Sequence, residues 1–262
     1  MSVAPSDSKS AFDLTGQVAL VTGANTGLGQ AIAVGLARAG ADIVAVGRSA
    51  PDETAELVSA AGRRLHAISA DLSSTEPMAR VVFEAYAAAG RLDILVNNAG
   101  IIRRADSLDF SEEDWDAVMG TNLKSVFFLT QAIAKRWVAD GRGGKVINVV
   151  SMLSFQGGLR VLSYTASKSG LAGITKTLCN EWAHLGINVN GLAPGYFATN
   201  NTAALQADEA RNRQILERIP AGRWGRPEDL AGAAVFLASR ASDYMHGAIV
   251  PVDGGFTAWN GV

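Results

Sequence analysis

Short runs of aliphatic and β-branched residues alternate along the chain with longer amphipathic stretches rich in alanine and leucine. The short runs predict strands over Val18–Thr22, Asp42–Gly47, Leu65–Ala70, Ile94–Asn97, Lys145–Val150, Asn188–Leu192 and Ala248–Val252. The longer stretches predict helices over Gly27–Ala39, Asp52–Ala61, Thr75–Ala89, Glu112–Ala139, Ser163–Leu185 and Pro227–Ala238. Strands that are apolar throughout, each separated from the next by a helix, imply a parallel sheet covered on both faces. The expected fold class is therefore α/β, a doubly wound parallel sheet of about seven strands, whose ligands gather at the carboxyl ends of the strands.

Composition narrows the picture without changing it. A length of 262 residues, 48% hydrophobic and 18% charged, suits a single domain over 1–262. Residues 1–13 read as a polar N-terminal tail without the apolar core of a signal peptide. A net charge of −2 gives no electrostatic reason to expect nucleic acid as a partner, and no apolar run approaches a membrane span. Cys179 is the only cysteine, so no internal disulfide can form and a reducing, cytoplasmic setting is expected. His66, His184 and His246 show no ligand spacing, and no metal is expected.

The first strand runs into Thr22-Gly23-Ala24-Asn25-Thr26-Gly27-Leu28-Gly29, at the start of the first helix. Glycines at this junction let the backbone turn tightly and approach a pyrophosphate, which then rests on the positive end of the helix. The spacing is G-x-x-x-G-x-G, and its place between strand and helix is the context that gives such a motif meaning. Gly23, Asn25, Thr26, Gly27, Leu28 and Gly29 are therefore candidate dinucleotide contacts. At the end of the second strand, Gly47 stands where an NAD-selective site offers an acidic residue, and Arg48 follows it. An arginine there suits a 2′-phosphate, so both NAD and NADP stay open, with a lean toward NADP.

Tyr164 and Lys168 are four residues apart, and Ser151 ends the apolar run thirteen residues before the tyrosine. On a helix the i,i+4 spacing puts phenol and ammonium on one face. A cation beside a phenol favours the phenolate and brings its pKa toward working pH, as proton transfer requires. No histidine lies near Ser151 in sequence and no G-x-S-x-G elbow surrounds it, so a hydrolase nucleophile is not expected.

With these residues on the page, the chain resembles the short-chain dehydrogenase/reductases from about Leu14 onward. The resemblance rests on the glycine turn, Asp71-Leu72, Asn97-Asn98-Ala99-Gly100, Asn122, Ser151, Tyr164, Lys168, Pro194-Gly195 with Thr199, and Val252-Asp253-Gly254-Gly255. It implies a Rossmann fold and assigns Tyr164 as acid/base, with Ser151 positioning the substrate oxygen. Lys168 would lower the tyrosine pKa and bind the nicotinamide ribose, and Asn122 would hold a water that links the lysine to solvent. It also implies that Asp71 and Leu72 lie by the adenine, and Asn98, Ala99 and Gly100 by the adenosine ribose. Pro194, Gly195, Phe197 and Thr199 would then lie at the nicotinamide end. Homotetramers through the helices near Glu112–Ala139 and Ser163–Leu185 are expected on the same ground, and Ala166, Gly170, Ala172 and Gly173 would permit close helix approach.

The segments Ser151–Gly158, Ala193–Thr202 and Ile219–Gly225, with Gly100–Arg104, resemble those of one group in the family, the sugar-acid dehydrogenases that act on 2-deoxy-D-gluconate or 2-dehydro-3-deoxy-D-gluconate. Arg103, Arg104 and Arg160 are candidate ligands for a substrate carboxylate, since a guanidinium fork matches it, and one of the three is expected to serve. Residues 195–222 read as a polar, mobile cover over the substrate. Gluconate 5-dehydrogenase and 3-oxoacyl-carrier-protein reductase are the enzymatic alternatives. A dinucleotide-sensing regulator without turnover is the alternative from another class, and the complete Ser151, Tyr164, Lys168 and Asn122 set speaks against it.

Overall fold

Seven strands form one parallel sheet in the order β3-β2-β1-β4-β5-β6-β7 in a computed structural model that describes residues 10–261. The strands are β1 (Val18–Thr22), β2 (Asp42–Gly47), β3 (Leu65–Ser69), β4 (Ile94–Asn97), β5 (Gly144–Val149), β6 (Ile187–Pro194) and β7 (Ile249–Val252). Helices α1 (Gly27–Arg38), α2 (Asp52–Ala60), α3 (Met78–Ala89), α4 (Glu112–Met119), α5 (Ser125–Ala139) and α6 (Leu162–Trp182) connect the first six strands. Beyond β6 come α7 (Ala203–Ala207), α8 (Glu209–Leu216) and α9 (Ala231–Ala238). The expected polar tail falls largely on residues 1–9, outside the described residues.

Sheet side chains divide strictly by face, as a pleat of period two requires. Ala19, Val21, Ile43 and Ile94 pack under α1 and α9, whereas Leu20, Val44, Leu95 and Val146 pack under α3 and α5. Trp137 of α5 is fully buried on the second face and donates from Nε1 to Leu92 O at 2.8 Å. Its ring needs Gly144, where a Cβ would stand 2.5 Å away. Strand order reverses beside β1, since β2 lies on one side and β4 on the other, and that divergence opens a crevice at the strand ends.

Element ends shift by a residue or two from the pattern-based reading, and three segments differ for identifiable physical reasons. The third helix begins at Met78 because Pro77 cannot continue a preceding helical ladder. The predicted helix over Glu112–Ala139 is interrupted by a π-helical turn at Gly120–Lys124, which carries Asn122 inward to full burial. The segment after Pro194 is more ordered than a loose cover, because its underside is apolar. Ile215 and Ile219 are buried there with Met152 and Phe256, and Leu205, Tyr196 and Trp224 pack around them.

Candidate active site

The crevice is a cleft of about 1490 Å³ running from Arg48 and Asp71, past the glycine turn, to Ser151, Tyr164 and the segment 195–211. Its floor is built by close backbone approach. Gly23 and Gly27 take φ of +65° and +58°, which glycine adopts without a Cβ penalty. A Cβ on Gly29 would overlap the Gly23 carbonyl, and one on Gly23 would meet Ala99 Cα at 3.1 Å.

Polar side chains brace this floor. Thr22 Oγ1 accepts from Asn98 N at 3.0 Å and Ala99 N at 2.9 Å, while Asn98 Nδ2 donates to the carbonyls of Thr22 and Gly23. Thr54 Oγ1 donates to Ala24 O at 2.7 Å from the far side. The Asn98 side chain is thus spent on the turn itself, so only its backbone faces the cleft. Thr22 opens the glycine-turn motif, whereas Thr54 belongs to no motif and its role appears only in the folded chain.

The N-cap residue of α1 is Thr26, whose side chain caps nothing, and no acidic residue occupies the first turn. Its amino end therefore presents amides and a positive dipole toward the cleft, a fit for the pyrophosphate of a dinucleotide. At the other end of the cleft, Asp71 accepts from Ser73 N at 2.9 Å. That bond, with help from the Arg48 charge, holds its carboxyl below the ordinary range. A Cβ on Gly47 would meet nothing within 4 Å, so the end of β2 leaves open space beside Arg48. Leu28 and Phe197 turn into the core on the first face of the sheet, Phe197 with its ring against Gly225. Gly195 lies so close to Asp253 that a Cβ would stand 2.6 Å from its Cα, and Thr199 reaches over Gly27 at 3.6 Å from a Cβ placed there.

Ser151, Tyr164 and Lys168 come together at the mouth of β5. Ser151 Oγ accepts from Leu153 N at 3.1 Å, which occupies a lone pair and leaves its proton free to point into the cleft. Ser154 Oγ donates to Lys168 O at 2.8 Å and ties the turn after β5 to α6, fixing serine and tyrosine relative to each other. Ser154 is a positioning residue whose only signal in the sequence is a second serine three places on. The Asn122 amide bonds Ile101 in both directions at 2.8 Å and donates to Ser167 Oγ at 3.3 Å. Its side chain is thereby committed to holding the loop after β4.

One expectation is corrected. The Tyr164 phenol lies above its ordinary pKa, not below it, because burial penalises the phenolate. The Ser151 hydroxyl and the Arg104 charge pull it down only partly. Lys168 lies close to the tyrosine ring. Its Nζ sits 5.6 Å from the tyrosine ring centroid and donates to Val149 O at 2.6 Å. Burial lowers Lys168 itself to about 8.

The three candidate arginines separate in the same way. Arg103 pairs with Asp114 at 3.1 Å and Arg160 with Asp106 at 3.5 Å. Arg104 is bonded only to a neutral carbonyl, Asn201 O, at 3.4 Å, and its charge reaches the phenol. Among the described residues, no group of three or more His, Cys, Asp or Glu is arranged to hold a metal, and no helix is long and apolar enough to cross a membrane.

A glycine-cradled cleft at the switch point, with a serine, a tyrosine and a lysine at its far end, is the architecture of a dinucleotide-dependent oxidoreductase. A family model described as enoyl-(acyl carrier protein) reductase matches residues 23–257, and the chain belongs to the short-chain dehydrogenase/reductase family of NAD(P)-dependent enzymes. It is 59% identical over 249 residues to the 2-dehydro-3-deoxy-D-gluconate 5-dehydrogenase of Escherichia coli (strain K12), covering 95% of this chain and 98% of that relative. A solved structure of a putative 2-deoxy-D-gluconate 3-dehydrogenase from Agrobacterium tumefaciens with bound NADP is 61% identical. It superposes with a TM-score of 0.89 over 95% of this chain and all of that one. A gluconate 5-dehydrogenase from Burkholderia cenocepacia J2315, solved with NADP and tartrate, is 41% identical with a TM-score of 0.90, covering 95% and 98%.

Proposed function

We propose that this enzyme interconverts a hydroxyl and a keto group on a small sugar acid, with 2-dehydro-3-deoxy-D-gluconate or 2-deoxy-D-gluconate as substrate and NADP as its preferred dinucleotide. The observation that carries the sugar-acid reading is Arg104, a guanidinium whose charge reaches the reacting phenol and which no carboxylate among the described residues neutralises. The names of the relatives support the same reading. The NADP preference follows from Arg48 and the open space at Gly47, and the Agrobacterium and Burkholderia structures both hold NADP.

When bound, the nicotinamide dinucleotide supplies the hydride in one direction and takes it up in the other. The glycine turn and the amino end of α1 would hold its pyrophosphate, and Lys168 would hold the ribose beside the nicotinamide. During reduction, Tyr164 gives its proton to the substrate oxygen as charge builds there, and Ser151 donates a second hydrogen bond to the same oxygen. In the reverse direction the Tyr164 phenolate takes the hydroxyl proton. Lys168, lowered to about 8 by burial, resupplies or accepts that proton from within the site. Residues 195–222 form the cover, whose two roots are stitched together by Gly225 N to Tyr196 O at 2.9 Å and Ala198 N to Gly225 O at 2.8 Å.

The chain acts as one catalytic domain in a reducing, cytoplasmic setting, consistent with its lone free Cys179. We further read it as a homotetramer. Two of the expected small residues serve the chain's own packing instead, since Ala172 is buried and Gly170 abuts Leu123 at 3.2 Å from a built Cβ. Gly173 faces open space, and Trp115 and Phe128 stay partly exposed on α4 and α5. These three positions support association.

Absorbance at 340 nm over a panel of hexonates, keto-deoxy-hexonates and their uncharged analogues, with NAD and with NADP, tests the assignment. Turnover confined to carboxylated sugars is expected, and equal rates on uncharged analogues would defeat it. Tyr164→Phe should lose turnover by at least about a hundredfold while binding the dinucleotide as before, measured by fluorescence titration.

A further inference from the structure

The substrate half of the cleft is unusually one-signed. Two acidic side chains line the cleft, and both lie away from Tyr164. Asp71 stands by Arg48, and Glu228 sits in the turn Pro227–Leu230 that packs on α1. Besides Arg38 and Arg48, the cationic groups that line the cleft are Arg103, Arg104, Lys168 and Arg211. Arg103 is neutralised by Asp114, and Lys168 lies beneath the tyrosine on Val149 O. Arg104 and Arg211 are left.

Arg211 is the third residue of α8. Its position is set by the helix cap, where Asp208 Oδ1 accepts from Arg211 N at 3.0 Å. Four residues on, Ile215 is buried against Met152, the neighbour of Ser151. The i,i+4 relation puts Arg211 on the same inward face of α8, one turn nearer the helix start. The helix is docked firmly enough to fix that face, since Trp224 Nε1 donates to Asn212 Oδ1 at 2.7 Å. The other arginines of this segment point elsewhere: Arg213 is exposed, and Arg218 stacks on Phe256 at 4.4 Å. The Arg211 guanidinium meets only the neutral Gln214 Oε1, at 3.2 Å, with no described carboxylate in salt-bridge range. A half-buried cation on the inward face of a cover, with no described carboxylate paired to it, is an incomplete pair.

We propose that Arg211 is the cover's ligand for the substrate carboxylate, reaching it from the side opposite Arg104, so that the cover closes fully only over an anionic substrate. This rests on the sugar-acid reading and adds to it a residue that sets specificity from the cover. The two arginines divide the task. Arg104 sits on the fixed wall after β4 and also acts on the phenol, whereas Arg211 acts on the substrate alone.

The test compares Arg211→Gln, Arg211→Met and Arg211→Lys with the wild type. The substrates are 2-deoxy-D-gluconate and 2-deoxy-D-glucitol, in which a hydroxymethyl replaces the carboxylate. Arg213→Gln serves as the control, and melting curves report folding. The expected result is a KM for the acid raised about tenfold or more in the Gln and Met variants, with kcat within about twofold. KM for the glucitol should not change, Arg211→Lys should recover most of the loss, and Arg213→Gln should match the wild type. The pH profile should stay in place for Arg211→Gln, whereas Arg104→Gln moves the tyrosine limb to higher pH. A wild-type KM for the acid in Arg211→Gln, or an equal rise for both substrates, would overturn the proposal and leave the sugar-acid reading standing. A wild type indifferent to the carboxylate would overturn that reading, and this proposal with it.

Discussion

Burial of Lys168 lowers its pKa from the ordinary 10.5 to about 8. Near neutral pH the folded enzyme therefore holds a charged ammonium where burial opposes it. The sign follows from proton counts. Between about 8 and 10.5 the unfolded chain keeps a proton that the folded chain has released, so stability rises with pH across that window. The penalty is complete below 8 and gone above 10.5. Lys168→Met should therefore raise the unfolding free energy at pH 7 by on the order of 3 kcal/mol, the advantage shrinking toward zero near pH 10.5, while turnover is lost. Urea titrations of both proteins across that pH range measure it. Tyr164 moves the other way: its raised pKa makes stability fall once the unfolded phenol ionises, above about 10. The Tyr-x-x-x-Lys spacing was legible because i,i+4 is a local property of a helix. That the Arg104 charge also reaches the phenol was not, since it arrives from a loop sixty residues earlier.

At the scale of elements, the proposed NADP preference rests on the end of β2. Its last residue, Gly47, opens onto free space beside Arg48, room that a phosphate can use. Gly47→Asp should place a carboxylate there, repel the 2′-phosphate and hydrogen-bond a free ribose hydroxyl instead. The NADP-to-NAD ratio of kcat/KM is expected to fall about tenfold or more, as steady-state kinetics with each cofactor will show. The element that sequence periodicity could not resolve is the run from α4 to α5. Apolar spacing continues through Gly120–Lys124, yet one wider turn there aims Asn122 at Ile101. A π-helical turn depends on what lies beneath it, and here Gly100, whose Cβ would press on Asn122 Oδ1 at 3.1 Å, makes the room. The cover is a similar case: its polar composition was plain, but α8 is ordered by Met152 and Phe256, which the chain brings from two distant segments.

For the whole molecule, the outer faces of α4 and α5 matter most. Trp115 is 37% and Phe128 40% exposed in the single chain, and both would be covered in the proposed tetramer. Phe128→Glu is expected to leave the fold intact, since that ring is already partly in solvent, while lowering the mass found by sedimentation equilibrium from tetramer toward dimer or monomer. A wild type that sediments as a monomer would remove this part of the reading.

The sequence by itself determined what depends on neighbours in the chain: the alternation of strand and helix, the glycine turn at the end of β1, and the serine, tyrosine and lysine that share one site. Hydrophobic periodicity, turn chemistry and helical spacing are short-range physics and can be read without coordinates. The tertiary structure decided what depends on pairing across the chain. Asp114 and Asp106 claim Arg103 and Arg160, while Arg104 and Arg211 are left facing the cleft. Charge neutralisation acts through space, so which cations were spoken for became visible only once the fold had chosen their partners.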